Sequence, residues 1–198
     1  EQRIQQHFID SADLKYQAAQ ALSQPITAAV QAIWACVTNG AKVLACGSGP
    51  SAAQAQQLAA FCVTGFERER PELAALALVP DALWLAAATT GAGADIAALA
   101  RQVRALGQAG DLLLAITIAG NEPAMLEAVQ AAHERDMTVV ALTGRDGGAL
   151  ATLLRETDVQ ICVPHDRPAR VREVHALVLH CLCDGVDAQL LGEQENPI

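Results

Sequence analysis

The stretch that decides the fold is Lys42-Val43-Leu44-Ala45-Cys46-Gly47-Ser48-Gly49-Pro50-Ser51. It begins as a short apolar run and ends in a turn of small residues and a proline. Residues 52–65 follow with the composition of a helix. An apolar strand that runs through a small-residue turn into a helix is the opening of a βα unit. The pattern recurs downstream. Strands are expected at 73–79, 112–116, 137–142 and 158–163, and helices at 81–88, 95–106, 122–135 and 149–154. A long helix is expected from Arg167 to about Leu190. Near-continuous apolar strands alternating with helices predict an α/β fold, with a five-stranded parallel sheet covered on both faces.

Outward from the turn, composition bounds the rest. The 198 residues are 52% hydrophobic and 18% charged, enough for one well-buried core, and they read as a single domain over 1–198. Before the first strand, Ile4, Phe8, Ile9, Leu14, Ala18 and Leu22 fall on one helical face. Ser23 then reads as a cap and Pro25 as the first turn of a second helix that ends at Asn39-Gly40. This predicts an N-terminal helical hairpin over about 1–38. Its outer face, with the C-terminal helix at about 167–190, is expected to pack on other copies as a homotetramer or dimer.

A net charge of −9 and the lack of any basic run argue against direct nucleic-acid binding. The six cysteines form no CxxC pair and read as buried thiols. Cys181 and Cys183 lie two apart on a helix, so they share no face, and neither metal nor cofactor is expected there. No N-terminal stretch has signal-peptide form and no apolar run reads as spanning a membrane, which predicts a cytoplasmic protein with no membrane partner.

In a parallel sheet, ligands bind beyond the carboxyl ends of the strands. Three turns fall there, at 47–51, 117–121 and 143–148. The first two lead into helix N-termini, which attract anions. Hydroxyls of Ser48, Ser51 and Thr117 would add donors, so a phosphorylated sugar is the natural ligand class. The first turn is neither a dinucleotide fingerprint nor a Walker loop: Ala52 stands where a third glycine would be, and there is no lysine. In the second turn Glu122 places a negative charge where a phosphate would rest, a cost of about 1–4 kcal/mol at intermediate dielectric. His175 and His180 stand about 140° apart around their helix and cannot easily act on one ligand. His7, His133 and His165 read as packed or solvated.

These motifs carry a resemblance along essentially the whole chain. Residues 42–66, with ACGSGPSAAQAQQLAAF, resemble the GNGGSAADAQHFAAEL segment of the sugar-isomerase (SIS) family's phosphoheptose isomerases. FERERP at 66–71, the Gln102 to Ile116 stretch, VALTGRDGG at 140–148 and ARVREVH at 169–175 fit as well. The resemblance implies an SIS fold and a phosphosugar pocket at Gly47, Ser48, Gly49, Ser51, Thr117, Gly120 and Asn121. It also implies that the family's zinc-binding histidine and catalytic glutamate stand at Gln57 and Phe61. The family's Asn-Asp pair falls at Thr90-Gly91, its glutamine at Arg172, and its later histidine at His180, which alone is retained.

With base and metal ligand gone, the sequence reads as a non-catalytic member with no metal. The opening helix, MTVVALTGRDGG and CLCDGVDAQLL resemble the initiator-associating (DiaA) branch of the scaffold. That branch implies binding of the replication initiator DnaA by a homotetramer, with Leu190 and Leu191 in the contact. The alternatives are a phosphoheptose isomerase acting on sedoheptulose 7-phosphate and a sugar-phosphate-sensing module.

Overall fold

The computed structural model describes residues 1–79 and 96–192. The expected helix at 81–88 and the Thr90-Gly91 pair lie outside the described residues. The strands are β1 (Val43–Gly47), β2 (Ala75–Ala77), β3 (Leu112–Ile116), β4 (Thr138–Gly144) and β5 (Val159–Val163). All pair in parallel, in the order β2-β1-β3-β4-β5. The α/β fold with a five-stranded parallel sheet is therefore as the sequence predicts.

β3 sits at the centre because it is apolar on both faces: all five of its residues are buried. Alternate strand residues point to opposite faces. Val43, Ala45, Leu112, Leu114, Val140 and Leu142 face α1 (Gln2–Thr38), α2 (Ser51–Thr64) and α6 (Pro168–Leu191). Leu44, Cys46, Leu113, Ala115, Val139 and Ala141 face α3 (Ala98–Leu106), α4 (Pro123–Glu134) and α5 (Gly148–Leu153).

The N-terminal segment differs from the expected hairpin. α1 is one helix of 37 residues with Pro25 inside it. Proline removes one backbone donor, and local hydroxyls take up nearby carbonyls: Ser23 Oγ donates to Gln20 O at 3.3 Å and Thr27 Oγ1 to Ser23 O at 2.9 Å. The buried stripe Leu14, Ala18, Leu22, Ala29, Val30, Ile33 and Cys36 continues across the proline. Packing of that stripe on α6 and the sheet outweighs the local cost of Pro25.

Two further expectations change. The connection at 66–71 was expected to be charged and solvated, yet the Arg70 side chain is 1% exposed. Arg70 Nε donates to Asp187 Oδ1 at 2.5 Å, and its Nη atoms donate to the carbonyls of Cys62 and Phe61 at 2.8 and 2.9 Å. One guanidinium thus fastens the end of α2 to α6. Second, α6 is long and apolar enough to cross a membrane by length and composition, with a mean hydropathy of 1.3 in its most apolar window. Here it is a core helix that also buries Arg170, His175 and Asp187.

The six cysteines are free, with Cys36, Cys46, Cys62 and Cys183 buried and Cys162 and Cys181 half-buried. Burial pushes the Cys46 thiol up to about 12 and the Cys36 and Cys62 thiols to about 11. These are protonated, unreactive groups at neutral pH. His133, read as packed or solvated, is buried and pairs with Asp158 at 2.7 Å across 25 residues of sequence.

Candidate functional site

The strand order reverses between β1 and β3, and in open parallel sheets ligands bind beyond the carboxyl ends of the strands at such a switch point. Both small-residue turns lie there, joined by Ser48 N–H donating to Ile116 O at 3.0 Å. Glycine is required at Gly47, where a Cβ would strike the Ser51 carbonyl, and at Gly120, where φ is +70° and a Cβ would overlap the Gly147 carbonyl.

The turns offer fewer free donors than expected. In the first, the amides of Ser51, Ala52 and Ala53 donate to Ser48, Gly49 and Pro50 carbonyls at 3.1, 3.0 and 3.3 Å. Ser48 is half-buried and Gly49 exposed. Ser51 is fully buried with its Oγ unpartnered. In the second turn Thr117 Oγ1 donates to Glu122 Oε2 at 2.5 Å and accepts from Gly120 N–H at 3.1 Å. Asn121 Oδ1 accepts from Ala149 N–H at 2.8 Å. The third turn bounds a polar crevice of about 480 Å³ lined by Asn121, Arg145 and His165.

The other candidates gather along the seam between α2 and α6. Gln54 Nε2 donates to Arg172 O at 2.9 Å at one end of it. Farther along, the rings of Phe61 and His180 lie 5.9 Å apart, and Phe66 stacks on His180 at 5.3 Å. Gln57 and Arg172 are half-buried. Gln57, Phe61, Arg172 and His180 thus occupy these two packed helices, as the resemblance implies. Sequence reasoning missed Phe66, Gln54 and the Arg70–Asp187 tie. Only the FERERP motif hinted at these, and a charged stretch gives no sign that one of its arginines turns inward.

The zinc of the resemblance does not fit these residues. Zinc takes sulfur, imidazole or carboxylate donors in a tetrahedral set. The seam offers one imidazole, packed against two phenyl rings that also touch each other, with an amide and a guanidinium on the same two helices. Among the described residues no group of three His, Cys, Asp or Glu could hold a metal.

His175 faces the sheet instead, with Nε2 2.9 Å from Thr143 O. Burial lowers its pKa to about 4, with Arg172 adding to the shift and the Thr143 carbonyl opposing it. The unfolded chain, near 6.5, binds the proton first as pH falls. The stability from neutral His175 is complete above pH 6.5 and is lost between 6.5 and 4. Urea denaturation at pH 7 and pH 4.5 should show a loss on the order of 2 kcal/mol, largely absent in His175→Gln.

The SIS-domain family model matches residues 6–144, which include both turns and the whole of α2. A phosphoheptose isomerase of Methylibium petroleiphilum is 61% identical over 98% of this chain and 97% of its own length. The chain belongs to the SIS-domain family, in its phosphoheptose isomerase branch. The corresponding protein of Azoarcus sp. is 51% identical over 98% of both chains. The solved structure of the phosphoheptose isomerase GmhA from Neisseria gonorrhoeae superposes with a TM-score of 0.88 at 45% identity, covering 94% of this chain and 98% of that one.

These relatives overturn the reading as a non-catalytic DnaA-binding protein of replication initiation: proteins similar to the chain along nearly its full length are phosphoheptose isomerases. Leu190, assigned to that contact, packs against the core, while Leu191 is exposed on the last turn of α6.

Proposed function

We propose that the chain isomerises a seven-carbon sugar phosphate, interconverting sedoheptulose 7-phosphate and its aldose. The observation that carries this reading is 61% identity, along nearly the full length, to a phosphoheptose isomerase. The small-residue turns at the ends of β1 and β3 and the retained His180 support it.

An aldose–ketose shift moves a proton between adjacent carbons and needs a positioned acid–base group. His180 is the one such group among the four seam positions, and its ring is oriented by Phe61 and Phe66. Phenylalanine at 61 carries no proton. Loss of a general base costs about 10²–10⁴ in rate, so turnover should be slow for the family. It should also be insensitive to chelation, because the seam has no metal-binding set. Turnover of sedoheptulose 7-phosphate by the purified chain, with and without chelator, tests both points.

We also infer that copies of the chain associate through α1 and α6. A groove of about 340 Å³ between them is lined by Leu22, Ile26, Val174 and Leu177. Phe8 and Tyr16 on α1 are 74% and 81% exposed. Apolar surface of this kind marks an interaction face. Light scattering on the purified chain should give the mass of a tetramer; a monomer at micromolar concentration contradicts the inference.

A further inference from the structure

Glu122 stands at the head of α4, but its carboxylate does not cap that helix. It turns back, and Oε2 accepts from Thr117 Oγ1 at 2.5 Å and from Asn121 N–H at 3.1 Å. Thr117, Gly120 and Asn121 are the residues through which this turn resembles a phosphate loop. Each is committed within the protein: Thr117 to Glu122 and Gly120, Gly120 to close packing on Gly147, and Asn121 to Ala149. The anion at the centre of the turn is a side chain of the chain itself.

Carboxylate and phosphoryl oxygens seek the same donors, and a helix N-terminus favours whichever negative charge reaches it. Two anions at this one turn repel each other at short range. We propose that Glu122 is a built-in anion that competes with the substrate's phosphoryl group for the second turn, and so sets the affinity and specificity of the site. The proposal rests on the isomerase reading. A phosphoryl group enters this turn only by displacing Glu122, which frees Thr117 Oγ1 and Asn121 N–H. Ser51, buried at the end of the first turn with its Oγ unpartnered, is a donor not committed to Glu122.

Two variants separate charge from fold. Glu122→Ser removes the carboxylate and leaves a residue favoured at helix starts. Glu122→Gln keeps the length and an acceptor oxygen but not the charge. Amide NMR of the full chain, titrated with inorganic phosphate, reads the turn through Gly120 and Asn121. Both variants should bind phosphate at those amides at least about tenfold more tightly than the unsubstituted chain, with Ser the tighter. Equal affinity in all three proteins, or no binding in either variant, overturns the proposal. Turnover of sedoheptulose 7-phosphate by the same proteins is read separately. Tighter phosphate binding without turnover sinks the isomerase reading and leaves the role of Glu122 standing. Turnover by the unsubstituted chain with equal phosphate affinities does the reverse.

Discussion

Replacing Asp187 with Ala is expected to destabilise the fold by about 3–5 kcal/mol, the cost of breaking a buried ion pair from one side. The Arg70 and Asp187 side chains are 1% and 2% exposed. Without Asp187, the guanidinium stays buried against the Phe61 and Cys62 carbonyls with its charge uncompensated. Relaxation is costly because the pair lies among Ile33, Leu58, Leu73, Leu182 and Val186. Replacing both partners with apolar residues, Arg70→Met with Asp187→Leu, should recover most of the loss, since no charge is then left buried. Urea denaturation midpoints measure both effects. A loss below about 1 kcal/mol for Asp187→Ala would show that water reaches the arginine.

His180→Ala is expected to lower turnover of sedoheptulose 7-phosphate by about 10²-fold or more, the usual contribution of one acid–base group. The fold should tolerate the change. His180 is half-buried and makes ring contacts with Phe61 and Phe66, so truncation removes packing without orphaning a buried charge. His180→Phe keeps the aromatic packing and removes the proton carrier. If His180→Phe turns over like the unsubstituted chain, the imidazole is only a packing element.

Most of the fold was legible in the sequence because a parallel sheet buried on both faces leaves a simple trace. KVLAC, LLLAI and MTVVAL read as strands, each followed by a small-residue turn and a helix. The N-terminal hairpin failed because Ser23 and Pro25 form a correct local signal for a helix start, and tertiary packing of the Leu22–Ile26–Ala29 stripe overrode it. Arg70 failed for a similar reason. Its neighbours Glu67, Glu69 and Pro71 are exposed, and nothing local marks the one residue that meets Asp187, 117 positions away.

The candidate site was legible as positions but not as an arrangement. The family resemblance placed Gln57, Phe61, Arg172 and His180 on two helices, and the structure packs those helices together. Glu122 was recognised as a charge in the wrong place for phosphate. That its carboxylate takes the Thr117 hydroxyl and the Asn121 amide needed coordinates, because turn geometry decides which donors point inward. The departures at Gln57 and Phe61 argued for a dead enzyme, whereas full-length similarity to phosphoheptose isomerases argues for an isomerase.

We propose that His180 moves a proton between neighbouring carbons of a heptose phosphate without a metal. Sedoheptulose 7-phosphate incubated with the purified chain in D₂O, in the presence of a chelator, tests it most directly. The account predicts slow formation of the aldose with solvent deuterium at C2, unchanged by the chelator and lost in His180→Phe. Substrate left unchanged over buffer alone, or conversion that stops on chelation, would contradict it.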